Sequence, residues 1–168
     1  VITDWQRDFQ TEIGKNHAKY FDAEGWLFFT RERFDLFYPS YGDTYPTFMG
    51  AMGMTYEQGG HGMAGLGIFN DEGHVLTLVE RLTHHTTSGL STVEMASKNA
   101  KQLNTEFAKF FDNSNLKYKS YVLKGNEDKL NSLKTLLNKH HITFENATAS
   151  KVSGMNYATG KQGSLNID

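Results

Sequence analysis

The chain has no cysteine, only two prolines and nearly equal numbers of acidic and basic residues. Without cysteine, the protein forms neither a disulfide framework nor a thiolate zinc site. Its formal net charge is −2, so it has no basic field to attract nucleic acid and no acidic tail. No apolar run approaches the roughly 18 residues that cross a bilayer. The sequence therefore predicts no nucleic-acid partner and no transmembrane segment.

The 168 residues are enough for one ordinary domain, or for one domain and part of another. Hydrophobic residues make up 38% of the chain and aromatic residues 13%, which is enough to form a core. The chain begins at Val1 with neither an initiator methionine nor a signal peptide. It ends in GSLNID, whose alternating pattern is typical of a strand that is just beginning. We expect the chain to be a piece of a longer protein.

Hydrophobic spacing predicts alternating helices and strands in the first two thirds of the chain. Phe9 and Ile13 recur at helical spacing within residues 4–22, and Thr3 with Gln6 forms a capping-box pattern. The same reasoning predicts a buried strand at Trp26–Thr30 and helical spacing over residues 31–38. It then predicts a loop at Tyr38–Met52, a buried strand at Gly53–Glu57 and a hairpin turn at Asn70–Gly73. The last predicted element is a helix at Ser91–Phe111, which begins with a second capping-box pattern formed by Ser91 and Glu94.

A change in composition predicts a domain boundary near residue 115. The stretch DNSN is a plausible linker, and the residues after it are richer in lysine and poorer in aromatic side chains. We predict a first domain at residues 1–115 and a second at 116–168. The second has a β-α-β pattern, with a strand at 118–123, a helix at Asn126–Lys139 and a strand at 142–147. The predicted fold class is α/β.

Seven histidines raise the question of a metal site. Zinc ligands usually include a close pair such as H-x-x-E or H-x-x-x-H, and neither pattern occurs here. The side chains of the adjacent pairs His84–His85 and His140–His141 diverge on a helix or on a strand. His141 and Glu145 would share a strand face only loosely. We expect surface or helix-cap roles for these histidines, and no zinc site made wholly within this chain.

Glu57 stands out among the carboxylates because it ends the apolar run GMTYE and precedes QGGHG. An acid at the end of a buried strand usually has a partner or a task. One interpretation is a salt bridge to Arg31 or Arg81. The other is a general acid/base at the C-terminal edge of a sheet, where α/β proteins place their chemistry.

The stretches DLFYPSYGDTYPT and GMTYEQGG resemble the C-terminal half of the catalytic domain of zinc carboxypeptidases, in particular large bacterial carboxypeptidase A-like proteins. The family order is a helix, a strand, a loop with a mobile tyrosine, a strand ending in the catalytic glutamate, and a long helix. The resemblance covers about residues 1–112 and implies part of a mixed sheet with flanking helices. The residues after 116 resemble the start of an accessory α/β domain, here a small β-α-β unit.

The resemblance implies a hydrolase that cleaves a peptide bond near a substrate's C terminus, with a zinc-bound water as nucleophile. Glu57 matches the general base that takes the proton from that water. Tyr38 matches the mobile tyrosine that closes over the substrate, with Tyr41 and Tyr45 as alternatives for the role. Asp43 falls in the loop that lines the specificity pocket.

The residues that would complete such a site are absent from this chain. The zinc ligands and the arginines that hold the substrate carboxylate lie upstream of the matched segment. The resemblance thus implies zinc and a peptide substrate for the intact parent protein, no zinc in this chain, and an isolated chain without activity. It also implies a secreted or periplasmic location.

Two other functions remain open. The first is a non-catalytic peptide- or carbohydrate-binding module, in which Tyr38, Tyr41, Tyr45 and Phe48 form an aromatic surface and Glu57 bridges an arginine. The second is a degenerate peptidase that kept the fold, lost zinc and serves as a scaffold. Because the chain would be a fragment, the missing half of its sheet should leave an open edge and an uncovered apolar face, so we expect self-association.

Overall fold

The computed structural model describes residues 2–30, 38–60, 62–148 and 150–167. The chain divides into two compact units, Val1–Asn113 and Ser114–Asp168. Five helices and two two-stranded antiparallel sheets lie in the described ranges. The prediction of a chain that mixes helix and sheet, the general α/β class, is confirmed. None of the helices in these ranges is long and apolar enough to cross a membrane.

The first unit is built around a pair of long helices. Its elements are α1 (Asp4–Glu24), α2 (Thr44–Phe48), β1 (Gly67–Phe69), β2 (Val75–Thr77), α3 (Leu78–Lys98) and α4 (Ala100–Phe110). Helix α1 packs against α3, and α3 also contacts β2 and α4. The second unit contains α5 (Glu127–Lys139), β3 (Lys151–Asn156) and β4 (Lys161–Asn166).

Helix α1 confirms the predicted first helix and its capping box. The Thr3 side chain accepts from the backbone of Gln6, and the Gln6 side chain accepts in return from the backbone of Thr3. The helix ends at Gly25, whose φ of 67° is left-handed and therefore favours glycine. Phe9 and Ile13, four residues apart, lie on one face and are buried.

The hairpin of β1 and β2 confirms the predicted turn at Asn70–Gly73. The backbone N–H of Asn70 donates to the carbonyl of His74, and the buried pair Ile68 and Leu76 face each other across the two strands. With Phe9 and Ile13, these two side chains make up the buried apolar core among the described residues. The core of the first unit is therefore small.

The predicted start of the long helix at Ser91 is wrong. Helix α3 begins at Leu78, and its capping box is formed by Thr77 and Glu80. Ser91 and Glu94, which have the same sequence pattern, do not cap a helix. Ser91 lies inside this helix and is only 2% exposed. The predicted single helix to Phe111 is also interrupted, because Asn99 separates α3 from α4. The same four-residue capping pattern occurs twice, and only the first instance follows a strand that ends there.

The predicted strands at Trp26–Thr30 and Gly53–Glu57 are wrong, and so is the mixed sheet that they would build. Neither segment is a strand, and both sheets among the described residues are isolated antiparallel hairpins. A strand requires a hydrogen-bonded neighbour, and the described residues supply none for these segments. Leu27 is consequently 81% exposed. The helical spacing predicted for residues 31–38 falls almost entirely outside the described residues.

The second unit confirms the predicted helix but not the β-α-β order. Helix α5 is capped by Asn126, whose side chain accepts from the backbone of Lys129. The predicted strands at 118–123 and 142–147 are wrong, because β3 and β4 lie later and pair antiparallel with each other. None of the described residues of this unit is buried.

Candidate functional site

A cleft of about 540 Å³ lies between two segments of the first unit. One wall precedes α2 and the other follows it in the chain. The lining residues are Tyr41, Gly42, Asp43, Met54, Thr55, Tyr56 and Glu57. The two stretches that carry the carboxypeptidase resemblance therefore form opposite walls of the same cleft.

Two glutamines of α1 hold these walls in place. The Gln6 amide nitrogen Nε2 donates to the carbonyls of Thr47 and Ala51, both at 2.8 Å. One turn further on, the Gln10 Nε2 donates to the carbonyl of Gly53 at 2.9 Å. The bond from Gln6 to Thr47 is buried and the other two are partly buried, and all three keep backbone carbonyls paired.

Thr47 links the chain segments that carry the two walls. Its Oγ1 donates to the carbonyl of Asp43 at 2.7 Å and accepts from the backbone N–H of Gly53 at 3.1 Å. A Cβ on Gly53 would fall on the Asp43 carbonyl, so only glycine allows this close approach. The two walls thus meet through their backbones.

The carboxylate of Asp43 ties the walls together at the rim. Its Oδ2 accepts from the Thr55 hydroxyl at 2.6 Å, and its Oδ1 accepts from the Thr44 hydroxyl at 3.3 Å. The hydrogen bond from Thr55 is the main cause that lowers the pKa of Asp43. Asp43 therefore stays ionised and gives the cleft a fixed negative charge.

Glu57 lines this cleft with an exposed side chain. The expectation of a buried strand end is wrong, because the segment is not a strand and none of the described strands pairs with it. Among the described residues its carboxylate has no hydrogen-bond or ion-pair partner. Arg81, one proposed partner, donates instead to the carbonyls of Gly65 and Thr77. Arg31, the other, lies outside the described residues.

A pair of tyrosines stands at the mouth of the cleft. Tyr41 lines it directly, and the rings of Tyr38 and Tyr41 lie 5.5 Å apart in a tilted contact. Both side chains are exposed, and so is that of Tyr45 on α2. The structure therefore brings Glu57 and Tyr41 to one cleft, with Tyr38 in contact with Tyr41.

Tyr56 is a cleft residue that the sequence analysis missed. Its hydroxyl lies 2.8 Å from the Thr92 hydroxyl on α3, and its ring meets the ring of His17 on α1 edge to face. Burial raises the pKa of Tyr56. The alternation of the apolar residues Met54 and Tyr56 with the polar residues Thr55 and Glu57 is the signal in the sequence that could have identified it.

A polar network joins α1 to α3 behind Tyr56. The Asn16 Nδ2 donates to the Ser91 hydroxyl at 2.8 Å, and the His17 Nδ1 lies 2.8 Å from the same oxygen. Since Asn16 donates, Ser91 can give its own proton to Nδ1, which places the imidazole proton on Nε2. That nitrogen is buried and has no hydrogen-bond partner in the part of the chain that the structure describes, and burial lowers the pKa of His17.

The acid of this network is Glu94. It accepts from Lys98, from Asn16 at 2.9 Å and from Tyr20 at 2.8 Å. These bonds, led by that from Lys98, lower the pKa of Glu94 to about 2. Because Glu94 is saturated by partners and Ser91 is buried, the network joins two helices and offers no accessible nucleophile.

The described residues do not fit a zinc ion. No group of three or more histidine and carboxylate side chains is placed to hold a metal in these ranges. His84 packs against Trp26 and Phe21, with ring centroids 4.8 and 5.6 Å away, and its Nδ1 lies 3.2 Å from the Gln58 Oε1. His61, which follows Glu57 in the chain, lies outside the described residues.

Comparison with protein-family models, with curated proteins and with solved structures found no match to this chain.

Proposed function

We propose that this chain is a portion of a zinc metallocarboxypeptidase and contributes the general base, Glu57, and a tyrosine wall to a peptide-binding cleft. The observation that carries the proposal is the exposed carboxylate of Glu57, which has no partner among the described residues and lies in a cleft shared with Tyr41. Such a carboxylate is free to accept a proton from water in the cleft. General-base catalysis of this kind contributes about 10²–10⁴-fold in rate.

The proposal assigns to this chain only proton transfer and substrate contact. The described residues do not supply the metal ligands, so no zinc-dependent step is assigned to them. Tyr41 and Tyr38 offer ring faces to the residue next to the scissile bond. The pair Asp43–Thr55 keeps the two walls at a constant separation.

The charge of the cleft limits what the chain binds by itself. Asp43 and Glu57 are both acidic, and no lysine or arginine is among the described residues that line the cleft. A free C-terminal carboxylate would be repelled, while an amidated or cationic end would not. The groups that hold a substrate carboxylate must then come from outside this cleft, as the carboxypeptidase resemblance implies.

The proposal is tested by comparing peptide hydrolysis by the intact protein with hydrolysis by the isolated chain. In a protein that carries this segment together with its zinc ligands, Glu57→Gln should lower kcat by about 10²–10⁴-fold and leave zinc content unchanged. Glu145→Gln, which alters an exposed acid of the second unit, is the matched control. A Glu57→Gln protein that hydrolyses peptides at the parental rate would remove Glu57 from the mechanism. The isolated chain should hydrolyse none.

A second candidate is a non-catalytic peptide- or carbohydrate-binding module. The exposed Tyr38–Tyr41 pair beside two carboxylates favours it, because sugar rings stack on aromatic faces while their hydroxyls donate to carboxylates. Calorimetric titration of the chain with oligosaccharides and with amidated peptides separates a carbohydrate-binding module from a peptide-binding cleft. Tyr41→Ala should abolish either kind of binding, and Tyr157→Ala, an exposed tyrosine of the second unit, should not. Binding of oligosaccharide but not peptide would favour the module.

A further inference from the structure

One face of α3 carries an exposed row of side chains that packs against nothing in the described structure. The row, here named the α3 stripe, consists of Val79, Leu82, Thr86, Leu90 and Val93. The four apolar members are between 58% and 72% exposed. Their spacing of three or four residues places them on a single face. The opposite face, with His84 and Ser91, contacts α1.

The α3 stripe is symmetric about its centre, Thr86. Leu82 and Leu90 lie four residues before and after Thr86, and Val79 and Val93 lie seven residues before and after it. The order of side chains is therefore the same in both directions along the helix. Two such helices running antiparallel would place like side chains opposite each other.

We propose that the α3 stripe is a two-fold interface with a second copy of this chain. The two α3 helices run antiparallel and cross at Thr86. Val79 then meets the partner's Val93, and Leu82 meets the partner's Leu90. In a two-fold contact the same patch is used on both subunits, so a self-complementary patch closes a dimer and leaves no free end. The inference stands independently of the proposed peptidase function.

The charges of α3 are compatible with this pairing. No lysine, arginine, aspartate or glutamate occurs from Leu82 to Val93, so no like charges oppose each other across the two-fold axis. The nearest charged groups, Arg81 and Glu94, are engaged in hydrogen bonds within their own chain. The five side chains of the stripe themselves carry no charge.

Gly89 supports a close approach of a second helix beside the stripe. Glycine inside a helix is less favourable than alanine. A Cβ on Gly89 would meet no atom of this chain within 4 Å, so packing within the chain does not require a glycine. A helix that crosses at Thr86 would occupy that open space.

The exposed surface of the chain is larger than its mass requires. The accessible area is 13260 Å². Two separate globular proteins with the sizes of the two units would together expose about 10,000 Å² by the usual scaling. The stripe itself offers a few hundred Å² per chain, less than the roughly 800 Å² per partner of a standard interface. The expected dimer is therefore reversible and depends on concentration.

Sedimentation equilibrium of the full chain tests the interface. The weight-average mass should rise from 19.0 kDa towards twice that value as the concentration increases through the micromolar range. Leu90→Glu should weaken the association at least about tenfold, because each dimer would bury two carboxylates. The matched control is Leu136→Glu, which alters a half-exposed leucine of α5 and should change nothing. A monomer at all concentrations, or a dimer unaffected by Leu90→Glu, would overturn the proposal.

Introduced cysteines test the direction of the helices. Since the chain has no cysteine, each single variant contains one thiol. Thr86→Cys should form a disulfide-linked dimer on mild oxidation, because the two copies of this position meet at the two-fold axis. Two Val79→Cys side chains would be about 20 Å apart along the helix axis and should not be linked. Equal linkage of both variants would indicate a parallel pair and contradict the proposal.

Discussion

Replacing Gln6 by glutamate tests how α1 positions the cleft. Gln6 is 1% exposed, and its Nε2 donates to two backbone carbonyls, those of Thr47 and Ala51. Its Oε1 accepts from the backbone of Thr3 in the capping box. Gln6→Glu preserves the shape and the capping acceptor and removes only the two donors. An ionised carboxylate would then lie against two carbonyl oxygens in a buried site.

The loss of unfolding free energy expected for Gln6→Glu has two contributions. At pH 7 the buried acid avoids ionisation by taking up a proton, which from an ordinary pKa of about 4.3 costs about 3–4 kcal/mol. The protonated acid has one O–H donor, so one of the two carbonyls loses its hydrogen bond, at about 1 kcal/mol. The free energy of unfolding of the first unit should fall by about 4–5 kcal/mol at pH 7. At pH 4 the loss should shrink to about 1–2 kcal/mol, because the proton is then nearly free.

Urea unfolding followed by tryptophan fluorescence measures this loss. Both tryptophans, Trp5 and Trp26, lie in the first unit, so the signal reports that unit and not the second. Gln162→Glu, on an exposed strand of the second unit, is the control for the added charge. A loss below about 1 kcal/mol at pH 7, or the same loss at pH 7 and pH 4, would refute the role given to the two hydrogen bonds that the buried Gln6 amide donates.

Two further predictions concern His17 and Gly53. Burial lowers the pKa of His17 below its ordinary 6.5, so the unfolded chain binds more protons below pH 6.5. The stability of the first unit should therefore be full above pH 6.5 and fall as the pH decreases towards the folded pKa, and His17→Gln should flatten that dependence. Gly53→Ala should destabilise the unit by more than about 1 kcal/mol, since a Cβ would strike the Asp43 carbonyl. Gly14→Ala, in open space inside α1, should stabilise it by about 0.5–1 kcal/mol.

Each of these predictions has a control and an outcome that would contradict it. His141→Gln, in the second unit, should leave the pH dependence of the stability of the first unit, measured by tryptophan fluorescence, unchanged. An unaltered profile in His17→Gln would show that another group governs the acid response. Gly53→Ala and Gly14→Ala each add the same methyl group, so an equal effect from the two would contradict the close contact at Gly53.

Local signals in the sequence were sufficient for the elements whose hydrogen bonds close within a few residues. The capping box of Thr3 and Gln6, the turn at Asn70–Gly73 and the helix after Asn126 are all of this kind. Each is determined by neighbours in the chain, so the pattern predicts the structure. The amide of Gln6 has a second role, in the bonds to Thr47 and Ala51, that no local pattern reveals.

Tertiary structure alone decided where α3 starts, whether the predicted strands form and which residues line the cleft. Thr77–Glu80 and Ser91–Glu94 have the same capping pattern, and the hydrogen bonds of Ser91 to α1 show that it belongs to the helix interior. Trp26–Thr30 has the composition of a buried strand, but a strand exists only beside a partner from elsewhere in the chain. Glu57 and Tyr41 share a cleft because Thr55 reaches Asp43 across it, a contact between residues twelve apart that spacing does not encode.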